Sequence, residues 1–208
     1  MTIYDRDIRQ VLIESLAHTP DFNNDDTFLI SELDICGGIN RADIVIVNGK
    51  LHGYEIKSPQ DNLSRLPAQV LSYNQVFDTM TLVTCDKYLK NSQTEIPDWW
   101  GISCISKTKK GLTLKVKRRP KVNKNVSALH LAQLLWKAEL IELIYDKTNI
   151  TKGIKSKTRN QLALLVSEMI SRQDISDYVR GVLKNRTDWK AVQLQQLYDD
   201  LHNKTPNL

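Results

Sequence analysis

"RADIVIVNGKLHGYEIKS", Arg41 to Ser58, decides how this chain is read. Two apolar runs flank Asn48-Gly49, a strong short-range hairpin signal. Yet Asp43, Glu55 and Lys57 stand inside strands that burial alone would have kept apolar. Strand side chains alternate faces, so Asp43 goes with Val45 and Val47, and Glu55 goes with Lys57. A three-residue turn, Asn48-Gly49-Lys50, sets Asp43 opposite Glu55; a two-residue turn would move the pairing by one. Upstream, "TFLISELDI" reads as another strand, closed by Gly37-Gly38. A two-residue turn there sets Glu32 opposite Asp43. In that register Glu32, Asp43 and Glu55 form a row across three strands, with Lys57 one pleat further on.

Carboxylates in a row repel one another. A divalent cation resolves the repulsion, and Mg²⁺ takes one or two carboxylates together with water and phosphate oxygens. A lysine beside such an ion orients or helps deprotonate a water, so the pattern points to phosphodiester hydrolysis. Ion pairing within the sheet, Lys57 with Glu55 and Arg41 nearby, would explain any one of these charges alone. The four together favour a site.

The elements around the hairpin give the fold class. "YDRDIRQVLIESLAH" has helical spacing at Ile8, Val11, Leu12 and Leu16. A second helix is expected from Leu66 to Phe77, with Pro67 in its first turn, where a missing N–H does no harm. "TMTLVTC" reads as a strand. After a polar loop, "WWGISCIS" and "GLTLKVKR" read as two more, a hairpin across "KTKKG". The order predicts an α/β (α+β) domain over residues 1–119, a mixed central sheet flanked by helices. From Ser127 the pattern turns helical, and residues 120–208 read as a separate helical region.

The hairpin residues resemble the PD-(D/E)XK nuclease superfamily: an acid, a hairpin spacer, then acid-x-Lys. The order of elements resembles its restriction-endonuclease-like core as well. The resemblance implies that Asp43, Glu55 and the Ile56 carbonyl bind Mg²⁺ or Mn²⁺ and that Lys57 is the catalytic lysine. Members often add another acid from the first helix or an early strand; Glu14 and Glu32 compete, with Glu32 preferred on register. "QVLSY" places Gln69 and Tyr73 one helical turn apart. It resembles the Gln-x-x-x-Tyr signature of the exonuclease-like branch, which implies that this pair supports the site. The resemblance covers residues 27–85, and the activity it implies is metal-dependent hydrolysis of DNA, with RNA open. The alternative is a catalytically silent nuclease-like module that binds DNA or protein.

Charge supports an anionic partner. Residues 1–98 hold 8 Lys/Arg against 15 Asp/Glu, and residues 99–208 hold 21 against 9, so a net −7 meets a net +12. No Asp or Glu occurs from Trp99 through Ala138. Lys107, Lys109, Lys110, Lys117, Arg118 and Arg119 are the candidate phosphate contacts, which would fix position without reading sequence. The helices after Ser127 are candidates for a DNA-binding accessory domain, a protein-partner or homo-oligomer surface, or a packing cover. No apolar run approaches the roughly 20 residues that span a bilayer, so no membrane role is expected. The charged N-terminal stretch does not read as a secretory signal, and a cytoplasmic location is the expectation. Cys36, Cys85 and Cys104 have no metal-ligand spacing and read as core residues. His52 reads as a turn histidine that could approach the site, and Trp99-Trp100 as core or edge residues.

Overall fold

The computed structural model describes residues 3–109, 111–186 and 189–203. Helix α1 (Asp5–Ala17) precedes β1 (Phe28–Ile35), β2 (Asn40–Val47), β3 (Leu51–Ile56), α2 (Leu66–Tyr73) and β4 (Thr79–Cys85). Then come α3 (Asp86–Glu95), β5 (Gly101–Thr108), β6 (Gly111–Arg118), α4 (Ala128–Ala132), α5 (Lys137–Lys147), α6 (Arg159–Met169) and α7 (Arg172–Asn185). The short β7 (Ala191–Gln193) leads into α8 (Leu194–Asn203). The seven strands form one mixed sheet in the order β6-β5-β4-β3-β2-β1-β7. Strands β3, β4 and β5 are parallel; the remaining pairings are antiparallel. This is the α/β class expected, a mixed sheet with helices on both faces.

Two apolar cores flank the sheet. One joins Ile8, Leu12 and Leu16 of α1 to Leu29, Ile44, Ile46, Tyr54 and Ile56, with Leu194 of α8. The other joins Val45, Val47, Leu51 and Leu82 to Leu66, Val70 and Tyr73 of α2. That second core continues without a break into Leu131, Leu140, Leu162, Val179 and Leu183. The helical region read as separate from residue 120 thus shares its core with the sheet. Its last segment returns as an edge strand, β7, and a helix on the α1 side, α8.

Helix α3 occupies the stretch that reads as a polar loop. Its only buried residue is Ser92, whose hydroxyl turns back to the Tyr88 carbonyl at 2.7 Å, so an apolar stripe is missing from the sequence. Helix α2 is shorter than expected: it ends at Tyr73, and tight turns carry the chain to Phe77.

The register follows the turns. Strands β1 and β2 pair as Ser31↔Ile44 and Leu33↔Ala42; β2 and β3 pair as Ile44↔Tyr54 and Val47↔Leu51. Both match the register inferred from sequence, although four residues, Cys36 to Ile39, join β1 to β2 in place of a two-residue Gly37-Gly38 turn. The alternation, however, breaks at one level of the sheet. Leu29 and Leu33 have the same parity but lie in opposite cores, and so do Ala42 and Ile44. The pivots are Glu32, with φ 56° in the left-handed region, and Asp43. Neither takes part in a ladder pair, and the β2–β3 ladder stops at Ile44↔Tyr54. An irregularity of this kind re-aims the side chain at the pivot.

Candidate active site

Where β2 and β3 part, the Asp43 side chain takes over the pairing that the backbone gives up. Its Oδ2 accepts the Ile56 N–H at 2.7 Å. From the other side Arg9 of α1 donates to the Asp43 carbonyl at 3.0 Å and to Oδ1 at 3.3 Å, while Asp5 holds the same guanidinium at 2.5 Å. Asp43 therefore sits at the mouth of the gap between the two strands.

Glu55 lies on the α2 face, 2% exposed. Its Oε1 accepts from Lys57 Nζ at 2.7 Å and from Gln69 Nε2 at 2.6 Å. Lys57 also donates to Gln69 Oε1 at 3.0 Å. Tyr73 OH lies 2.7 Å from Glu55 Oε2 and 2.9 Å from the Arg41 carbonyl. Its one proton serves the carboxylate, the more strongly charged acceptor. The helical spacing of Gln69 and Tyr73 puts both side chains on the inner face of α2, which Leu66 and Val70 press onto the sheet. The cluster is thus one network of four side chains with Asp43 beside it.

Asp43 and Glu55 both line an open cleft of about 450 Å³. Its wall also holds Arg41, Ile56, Lys57, Ser58, Asp61, Arg65 and Gln69, and the turn residues Gly38 to Asn40. The cleft opens beyond the carboxyl end of β3, the usual place for a ligand crevice in an open α/β sheet. Burial, and then the charge of Glu55, push the Asp43 carboxyl up to about 7, against the opposing pull of the Ile56 N–H and Arg9. Burial and Glu55 likewise raise the Tyr73 phenol far above its ordinary value, so it remains a proton donor.

The structure brings Asp43, Glu55, Ile56, Lys57, Gln69 and Tyr73 together. It does not bring Glu32 or Glu14. Glu32 is exposed, 3.4 Å from Arg41, and faces a different cleft, because the left-handed pivot turns it away from Asp43. Glu14 lies on the outer side of α1 in a groove with Lys107 and accepts from Gln10 at 3.1 Å. Among the described residues no group of three His, Cys, Asp or Glu side chains is placed to hold a metal.

The basic candidates lie apart from the cleft. Lys107, Lys109, Lys117 and Arg119 are exposed on or beside the β5–β6 hairpin and do not line it; Lys110 falls outside the described residues. Arg118 is already engaged: it pairs with Asp98 at 3.6 Å and donates to the Trp100 carbonyl at 2.7 Å and the Pro97 carbonyl at 3.0 Å. Strand β6 is three strand spacings from β3, about 14 Å. The cations in the cleft are Arg41, Lys57 and Arg65, with Arg9 behind Asp43. Arg9 was not among the sequence candidates, although its i,i+4 partner Asp5 is visible on the first helix.

His52 stays away from the cleft, between Thr79 Oγ1 at 2.7 Å and Asn48 Oδ1 at 3.2 Å. Burial brings it down to about 4, so it is a neutral packing residue. Trp100 is core, stacked on Tyr73 at 5.9 Å, and Ser58 caps its own loop through Asp61 at 2.7 Å.

A solved protein of unknown function from Silicibacter pomeroyi aligns at 12% identity with TM-score 0.39, covering 57% of this chain and 74% of that one. Protein cII of Enterobacteria phage P4 is 27% identical over 161 residues, which is 77% of this chain but 60% of that protein's length. The family described as bacteriophage P4 protein cII matches residues 1–204. With nearly the whole sequence matched, this chain belongs to the bacteriophage P4 cII protein family.

Proposed function

We propose that this chain is a metal-dependent nuclease that hydrolyses phosphodiester bonds, DNA being the first substrate to test. The observation that supports it best is Asp43. It is a carboxyl on the wall of an open cleft, beside a second, buried carboxylate, with its proton affinity raised by burial and then by that neighbour. Negative charge in surplus at an open site favours a cation.

The residues present fit Mg²⁺ or Mn²⁺. Asp43, Glu55 and the Ile56 carbonyl are all hard oxygen donors, and each carboxylate keeps lone pairs beyond the bonds described. When bound, the ion would polarise a phosphate and stabilise charge on it. The chain's own groups do the rest. Tyr73 and Gln69 hold Glu55 in one orientation. Lys57 gives two of its three protons to Glu55 and Gln69 and keeps one for a water or a phosphate oxygen at the cleft. Arg41 and Arg65 in the same wall suit the flanking phosphates.

A second reading has one observation in its favour. Lys57 is 5% exposed and its ammonium is bound to Glu55, as in a purely structural ion pair. On that reading the fold is catalytically silent and holds DNA or protein.

The test is cleavage of linear duplex and single-stranded DNA by wild type and Lys57→Ala, with Mg²⁺, Mn²⁺ or EDTA. The nuclease reading expects metal-dependent cleavage that the variant loses. Equal degradation by both proteins, or none by wild type under any metal, overturns it. Binding without cleavage, weakening steeply with salt, selects the silent module.

A further inference from the structure

A second cleft continues the first. It has a volume of about 410 Å³ and shares Asp34 and Gly38 with the carboxylate cleft, so the two meet across the β1–β2 turn. Its far wall comes from the C-terminal region: Gln133, Trp136, Lys137, Arg159, Trp189 and Lys190. This wall differs from the first in carrying aromatic rings among cations.

Trp136 is the centre of it. It is 51% exposed although it is among the largest side chains in the protein. One face of its ring is held by Arg186, whose guanidinium carbon lies 4.3 Å from the ring centroid and 4.5 Å from that of Trp189. Arg186 is in turn anchored by Glu139 at 2.6 Å. The indole is therefore fixed in place on one side and open to solvent elsewhere. Lys137 is exposed beside it, and Lys190 reaches the Glu32 carbonyl at 2.8 Å without a carboxylate partner among the described residues. Arg159 is directed at the carbonyls of Gln133 and Leu135, which leaves its charge unneutralised. The acids of the wall are Glu32, already held by Arg41, and Asp34 at the junction. Among the described residues, the buried side-chain polar atom without a partner is Gln133 Oε1, in this same wall.

We propose that this second cleft binds single-stranded nucleic acid, with a base stacked on Trp136, its backbone against Lys137, Arg159 and Lys190, and the strand running over the Gly37-Gly38 turn into the carboxylate cleft. A rigid, half-open indole flanked by unneutralised cations is what an unpaired base and its phosphates require. A duplex keeps its bases stacked inside and offers none to the ring. The path into the carboxylate cleft rests on the nuclease reading; the binding itself does not.

The experiment separates the two. Binding of fluorescein-labelled oligo(dT), oligo(U) and a duplex of equal length is measured by anisotropy in EDTA, where cleavage plays no part. Wild type is compared with Trp136→Ala, Trp136→Phe and the double variant Lys137→Ala/Lys190→Ala. The expectation is about tenfold weaker single-strand binding for Trp136→Ala, recovered largely by Trp136→Phe. The double variant is expected to weaken binding and to flatten its salt dependence by about two unit slopes, reduced for a single strand. Unchanged single-strand affinity in Trp136→Ala, or an equal loss for duplex and single strand, overturns the platform. If Trp136→Ala does not fold, unchanged binding by the lysine variant overturns it instead. Binding lost in these variants while wild type never cleaves would leave the platform standing and remove the nuclease.

Discussion

Two buried charge clusters in this protein are built to opposite ends. Arg186 and Glu139 form a two-pronged pair at 2.8 and 2.6 Å, with 5% and 14% of the side chains exposed. Arg186 also donates to the Leu134 carbonyl at 2.7 Å and lies between two indole rings. One cation meets one anion, and the guanidinium is held by a carboxylate, a carbonyl and two rings. The Asp43–Glu55 cluster is also hydrogen-bonded, but it sets two carboxylates against Lys57 and an Arg9 already shared with Asp5, and it opens onto a cleft. Burial first, and then the charge of Glu55, raise the Asp43 carboxyl. A closed pair holds a fold together; an open, unbalanced one invites a ligand.

If that contrast is right, breaking each cluster has a different cost. Lys57→Ala is expected to reduce cleavage by about 10²–10⁴-fold, the range for losing a positioned proton-transfer group. A reduction smaller than tenfold in steady-state rates would put Lys57 with Arg186 as a structural cation. Arg186→Met should do the reverse. It leaves Glu139 buried without its partner, which costs roughly 3–5 kcal/mol. That is read as a lowered urea midpoint, while kcat per folded molecule at saturating DNA stays within about twofold of wild type because Arg186 lies outside the carboxylate cleft; any loss falls on KM, since Arg186 holds Trp136. Loss of kcat in a fully folded Arg186→Met protein would erase the distinction.

The open cluster was more legible in the sequence than the closed one, for a physical reason. Asp43, Glu55 and Lys57 stand on strands, where period-two alternation makes a misplaced charge conspicuous and turn lengths give the register. Gln69 and Tyr73 are legible by helical spacing. Glu139 on α5 and Arg186 just past the end of α7 are far apart in sequence, and charges at such helical positions are ordinary on the solvent side, so nothing marks them as a buried pair. Glu32 shows the limit of register arithmetic. The pairing on either side of it matches the turn-based register, yet a left-handed backbone at Glu32 itself reverses the side chain, and no residue type there announces it: positive φ is the habit of Gly and Asn, not Glu. The shared core was hidden for a related reason. The pattern turns helical at Ser127, but packing does not divide where the pattern does.

Asp43→Asn probes the imbalance directly. Its carboxyl is raised in the fold to about 7 from 3.8, so the folded state binds a proton more tightly than the unfolded chain. The stabilisation that this proton provides is complete below about pH 4 and lost as pH rises toward 7. Without metal, the amide variant, neutral at every pH, should therefore melt above wild type at pH 8, by a margin on the order of 2 kcal/mol, and the margin should vanish by pH 4. Added Mg²⁺ should stabilise wild type at pH 8 and fail to stabilise the variant. A variant less stable than wild type at pH 8 would mean that Arg9 and the Ile56 N–H already balance Asp43, as Glu139 balances Arg186.

The smallest effect is expected at Glu32, and it sharpens the comparison because charge alone would not foresee it. Glu32 and Asp43 sit at the same level of adjacent strands, and a flat ladder would have made them partners at one metal. In the fold Glu32 is half-exposed and paired at 3.4 Å with an equally exposed Arg41. Such a pair contributes about 0–1 kcal/mol. Glu32→Gln should thus leave stability within about 0.5 kcal/mol and leave the Mg²⁺ dependence of cleavage unchanged. A raised Mg²⁺ requirement in this variant, measured as the half-saturating concentration, would show that the strand pair flattens when the ion binds and carries Glu32 in. The left-handed pivot would then be a moving part of the site, and the cluster would count three carboxylates instead of two.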